Sequence, residues 1–84
     1  MEKLITKKSD LETFELIVKI LLHSFDTKFT EKLDGPDQSY YDFILDNTKY
    51  TLHREHYTGI SIISDSKNND FELIVKEISN QISI

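Results

Sequence analysis

Tyr40-Tyr41-Asp42-Phe43-Ile44-Leu45-Asp46-Asn47-Thr48-Lys49-Tyr50-Thr51-Leu52-His53-Arg54-Glu55 is the stretch that decides the fold. Two runs rich in aromatic and β-branched residues flank a short polar break, the pattern of a β-hairpin. The reading places one strand over about Tyr40–Asp46, a two-residue turn at Asn47-Thr48, and the next strand over about Lys49–Glu55. In that register Leu45 faces Tyr50 and Phe43 faces Leu52, with Tyr41 and Arg54 extending the same side. Asp42 faces His53 on the opposite side, with Ile44 beside Thr51. Side chains alternate with a period of two, so a one-residue slip would mix the apolar and polar sets. Arg54 is the misfit, a charge on the apolar side for which the sequence offers no evident partner.

Upstream of the hairpin, Asp34-Gly35-Pro36-Asp37 is a turn by composition. Before it, Phe29 and Leu33 alternate with Lys28, Thr30 and Lys32, as in a half-exposed edge strand. Downstream, Tyr57-Thr58-Gly59 turns the chain into a short buried strand, Ile60-Ser61-Ile62-Ile63. A three-residue loop would direct Ile60 and Ile62 inward, and a two-residue loop would favour Ile63. Both alternatives stay open at this point.

A helix is expected on each side of these strands. Ser9-Asp10-Leu11-Glu12 reads as a capping box with the serine as cap, leading a helix over about Asp10–His23. Its apolar stripe is Leu11, Phe14, Val18, Leu21, Leu22 and Phe25, widened by Ile17. Leu16 and Ile20 fall on the far side, among Glu12, Thr13, Lys19 and His23. After the polar stretch Ser64 to Asn69, a second helix over about Asp70–Gln81 carries Phe71, Ile74, Val75, Ile78 and Ile82, with Asn69 and Glu72 repeating the capping logic. One-sided helices and a one-sided sheet bury each other as two layers. The expected fold is therefore a single α+β domain over residues 1–84: α-β-β-β-β-α, a four-stranded antiparallel meander with two helices packed on one face.

Composition narrows the function classes. A chain of 84 residues has room for one core. It has no cysteine, which rules out disulfides and thiolate metal ligation and favours a reducing cytoplasm. The opening Met-Glu-Lys-Leu-Ile-Thr lacks the apolar stretch of a signal peptide, and no run reaches membrane-spanning length. Fifteen acidic and ten basic residues give a net charge of −5, which opposes binding to phosphate backbones and anionic lipid. The richness in Lys, Ile and Asn points to an AT-rich bacterial genome.

Few residues invite chemistry. His53-Arg54-Glu55-His56 concentrates ionisable groups, but positions three apart on a strand face opposite ways, so His53 and His56 cannot readily share a metal. The plainer reading pairs His53 with Asp42 across the hairpin. Asp34, Asp37, Asp42 and Asp46 lack the spacing of a calcium loop. Phosphate-binding and nucleophile motifs are absent. No catalytic, cofactor or metal residue is therefore assigned. Tyr40, Tyr41 and Tyr57 suit a protein interface, since tyrosine offers a rigid area with a polar tip. Leu16 and Ile20 form a second apolar patch, and the uncovered sheet face, with Tyr40, Asp42, Ile44, His53 and Glu55, forms the other candidate contact surface.

Asp34-Gly35-Pro36-Asp37, Tyr40-Tyr41-Asp42-Phe43, Tyr50-Thr51-Leu52-His53 and Gly59-Ile60-Ser61-Ile62 together resemble the hairpin region of small uncharacterised bacterial domains. Some toxin-immunity proteins are similar. The resemblance implies a stand-alone acidic domain that acts by binding a protein, and it carries no binding residue across. Three functions follow as expectations. The first is an acidic, non-enzymatic module for a basic protein partner. The second is a homodimer using Leu16 and Ile20 or the open sheet face. The third is a small enzyme or ligand-binding domain using His53, His56, Glu55 and Asp42.

Overall fold

The computed structural model describes residues 1–65 and 70–82, together with the backbone of residue 69. The chain runs β1 (Glu2–Thr6), α1 (Leu11–Ser24), β2 (Lys28–Asp34), β3 (Gln38–Leu45), β4 (Thr48–Glu55), β5 (Gly59–Ser64) and α2 (Asn69–Ile82). All pairings are antiparallel, in the order β1-β5-β4-β3-β2. The meander of β2 to β5 is present, but the sheet has five strands rather than four. Glu2-Lys3-Leu4-Ile5-Thr6 is too short to display a period, and its partner lies far along the chain, with Lys3 opposite Ile62. The N-terminal ammonium donates to the Ser64 carbonyl at 2.6 Å, tying the start of the chain to the end of β5.

The central hairpin turns one residue earlier than the sequence reading placed it. Asp46 and Asn47 occupy the turn, with φ of 51° and 63°, and Leu45 is paired with Thr48. Two consecutive positive φ values are the mirror-image turn that matches strand twist, and Asp and Asn tolerate them best after Gly. Moving a turn by one residue moves each cross-strand partner by two. Phe43 therefore faces Tyr50, Tyr41 faces Leu52 and Tyr40 faces His53, while the sorting of residues between the faces is unchanged.

One hydrophobic cluster gathers Phe14, Ile17 and Leu21 from α1, Phe71, Ile74 and Ile78 from α2, and Phe43, Tyr50, Leu52, Ile60 and Ile62 from the sheet. All these strand residues project to one side, so both helices cover the same face. The ring stacks Phe43 on Tyr50 and Tyr50 on Phe71, with centroids 5.3 and 6.5 Å apart, link the hairpin to α2. The loop after β4 holds His56, Tyr57 and Thr58, since Glu55 pairs with Gly59. It is the three-residue alternative, and it directs Ile60 and Ile62 inward.

Other local expectations are corrected. Asp10, not Ser9, caps α1: its carboxylate accepts from the Thr13 backbone N–H at 2.9 Å and from the Thr13 hydroxyl. The Thr13 bonds hold the Asp10 pKa below the usual aspartate value. Ser9 instead donates its hydroxyl to the His56 carbonyl at 2.8 Å. The α1 stripe is rotated from the expected one, leaving Leu11 and Leu22 exposed and Ile20 buried. The flank carrying Ile20 faces α2, where Gln81 donates to the Ser24 hydroxyl at 3.0 Å. A sheet-facing stripe on a helix that also has a helical neighbour is wider than its sequence pattern indicates. The cap expected at Asn69 lies outside the described side chains.

Candidate interaction face

The outer side of the sheet carries no second layer of described residues. Cross-strand pairing lines its side chains up in rows. Leu33, Tyr40, His53, Ser61 and Leu4 form one row across all five strands, and Glu31, Asp42, Thr51, Ile63 and Glu2 form the next. The first row is mostly apolar or aromatic, and the second holds three carboxylates.

The centre of the first row is an aromatic stack. The His53 ring lies over the Tyr40 ring with centroids 4.3 Å apart and planes 10° from parallel. The Tyr40 hydroxyl reaches Gln38 Oε1 at 3.3 Å. The His53 Nε2 atom is buried and has no hydrogen-bond partner among the described residues. The expected pair of His53 with Asp42 is not formed, because the turn at Asp46 and Asn47 sets Asp42 opposite Thr51. Asp42 accepts from the Thr51 hydroxyl at 2.7 Å and lies 3.5 Å from the Lys49 ammonium.

Of the residues singled out in the sequence, Tyr40, Asp42, Ile44, His53 and Glu55 do share this face. Ile44 is partly exposed beside Lys28 and Lys49, and Glu55 is exposed at the β4 terminus. Leu16 lies in the other layer, in a groove of about 880 Å³ beside Lys7, Lys8, Glu12, Glu15 and Lys19. Charges of both signs line that groove. Ile20 is buried, so the expected two-residue patch on α1 does not exist. His56 is also apart from the face, in the β4–β5 loop with its ring edge-on to Tyr57 at 4.8 Å. Among the described residues no three His, Asp or Glu side chains converge on a common ion position.

Leu33 was missed as a member of this face. Alternation from Phe29 puts it inward, but a β-bulge between Phe29 and Glu31 reverses the later residues. Phe29 points to the core opposite Phe43, whereas Leu33 stands outward beside Tyr40 and is 67% exposed. Thr30, the extra residue, was the only available signal, and a threonine does not announce a bulge. Leu33, Tyr40, Asp42, Thr51, Ile63, Glu31 and, at its margin, Lys32 border a shallow hollow of about 540 Å³. It can seat a protruding side chain of another molecule between apolar walls and a charged rim in which two carboxylates outnumber one ammonium.

The described helices are too short and too polar to cross a membrane. A family model for a protein of unknown function, DUF3630, matches residues 2–81. The chain belongs to the DUF3630 family. The match begins within β1 and ends within α2, so this family's unit includes the strand that the sequence reading left out. No curated protein and no solved structure matches the chain.

Proposed function

We propose that this DUF3630 protein is a non-enzymatic protein-binding module of the bacterial cytoplasm, which uses the outer sheet face to hold a basic partner. The observation carrying this reading is the row of exposed Leu33 and half-buried Tyr40 and His53, set beside Glu31 and Asp42 on the outer sheet face. Stacked rings and an exposed leucine supply area that gains from losing water, at about 25 cal/mol per Å² of apolar surface. The carboxylates, within a net charge of −5, steer a positive surface to it and raise the association rate. A basic nuclease toxin is the kind of partner such a face suits, in keeping with the likeness to immunity proteins.

Parallel pull-downs from the native lysate at low salt test the reading. One bait is the natural chain and the other carries Tyr40→Ala, Glu31→Lys and Asp42→Lys. The expected result is a stoichiometric basic protein retained by the natural chain alone and released by salt. Retention of nothing, or equal retention by both baits, would sink it.

A further inference from the structure

We propose that the free edge of β2 pairs antiparallel with β2 of a second copy, about a two-fold axis through Leu33. This inference does not rest on the partner-binding reading: it uses the backbone edge of β2, and Leu33 is the residue that both surfaces share.

Hydrogen-bond phase shows which groups are available. Leu45 and Thr48 close a two-residue hairpin, so Leu45, Phe43, Tyr41 and Ser39 direct their backbone groups to β4. Ile44, Asp42 and Tyr40 direct theirs to β2, where Tyr40 meets Leu33. The Gly35 N–H bond to the Gln38 carbonyl, at 2.7 Å, lies on the same ladder. Glu31, Leu33 and Gly35 thus bond inward to β3, and the N–H and C=O groups of Lys32 and Asp34 point away from the sheet. Every residue from Thr30 to Asp34 is exposed.

This short edge complements itself. With Leu33 opposite its own copy, Lys32 faces Asp34 of the second chain, and Asp34 faces its Lys32. Each of these pairs exchanges both of its free backbone bonds. The charges also match. Lys32 and Asp34 lie on the same side of the sheet, where the Lys32 ammonium sits 5.5 Å from the Tyr41 ring centroid and Asp34 accepts the Tyr41 hydroxyl at 2.9 Å. Across the axis, opposite charges stand in directly facing positions. The apposed Leu33 side chains occupy a non-hydrogen-bonded pair, the closer of the two spacings, and Glu31 meets Gly35, which offers no side chain to clash.

Neighbouring registers fail. Centring on Lys32 sets two ammonium groups face to face, and centring on Asp34 or Glu31 sets two carboxylates face to face. A lysine on an edge strand commonly deters strand addition. Here it deters strands lacking a carboxylate at the facing position, and the second copy supplies one. Residues directly opposite share a sheet face, so both outer faces would lie on one side of a continuous sheet with all helices on the other.

Sedimentation equilibrium from 10 µM to 1 mM tests this, with circular dichroism to verify folding. The natural chain is expected to reach a dimer in the upper part of that range. Lys32→Pro removes an edge-facing N–H and an exposed ammonium, but no ladder bond to β3, and should leave a folded monomer. Lys32→Glu should weaken association at least tenfold, and Lys32→Glu with Asp34→Lys should restore it. A natural chain that stays monomeric throughout overturns the proposal. So does a dimer unaffected by Lys32→Glu, or one that the reciprocal exchange does not rescue.

Discussion

Arg54 Nε donates to the Ser39 hydroxyl at 3.3 Å, across the β3–β4 pair and on the core side of the sheet. Arg54 is only 4% exposed, and its guanidinium also reaches the Ser9 carbonyl at 3.2 Å and the Gly35 carbonyl at 3.4 Å. It thereby joins the β1–α1 loop, the β2–β3 turn and β3 at the rim of the packed layer. A planar fork with five donors suits acceptors lying in different directions, which an ammonium on a flexible stem cannot match.

Arg54→Met should consequently destabilise the domain by about 3 kcal/mol, because it strands the buried Ser39 hydroxyl and two half-buried carbonyls as well as removing the charge. Arg54→Lys should recover less than half of that loss. Urea unfolding of the three chains measures both effects. Equal stability of Arg54→Met and the natural chain would refute the clamp.

Gly59 is required by both conformation and space. Its φ is +114°, and a Cβ there would stand 2.1 Å from the Thr6 carbonyl oxygen and 2.8 Å from the Lys7 Cα. Gly59→Ala is expected to cost more than about 2 kcal/mol. Because the clash is with the end of β1, amide exchange over Glu2–Thr6 should accelerate most. Protection of β1 in the variant equal to that in the natural chain would contradict this placement.

The turn residues separate the two hairpin registers. With Asp46 and Asn47 at positive φ, Asn47→Gly relieves the left-handed position and should stabilise by about 0.5 kcal/mol. Thr48→Gly falls on the first strand residue and should destabilise by about 1 kcal/mol. The reverse order in thermal melts would favour a turn at Asn47 and Thr48.

Tyr41 makes the domain sensitive to alkali. Burial raises its pKa above the usual tyrosine value, and the hydrogen bond it donates to Asp34 raises it further, since ionisation would set two negative oxygens together. A raised folded-state pKa contributes stability that is complete below the unfolded value of about 10 and is lost as pH climbs through the folded value. Tyr41→Phe should therefore flatten the fall in stability above pH 10. An unchanged alkaline slope in denaturant titrations at pH 9 to 11.5 would count against it.

The Asp10 cap gives the opposite pH dependence at the acidic end. Its pKa is depressed, so its contribution is present above the unfolded value and is lost as pH falls through the folded one. Asp10→Ala should cost about 1 kcal/mol at neutral pH, as for other helix caps, and nothing at pH 2. An Asp10→Ala penalty that persists at pH 2 would assign its effect to something other than the charge.

How far the candidate face was legible depends on the reach of each constraint. Alternation along β3 and β4 placed Tyr40, Asp42, Ile44, His53 and Glu55 together, because a period of two survives even a misplaced turn. It could not supply the stack of His53 on Tyr40, which depends on the partner's position across the ladder. Leu33 escaped because one bulge residue reverses everything after it. Leu4 escaped because its strand pairs with β5, which the chain reaches only after α1 and three further strands.

The amino-acid order alone determined the α+β class, the meander from β2 to β5, and which hairpin side chains are buried, since apolar period and turn chemistry act between near neighbours. The tertiary structure alone decided the fifth strand, the burial of Ile20 beside α2, the acceptors of Arg54 and the outward Leu33. Each of those arises from surfaces meeting across long stretches of chain, where packing and backbone pairing override local preference.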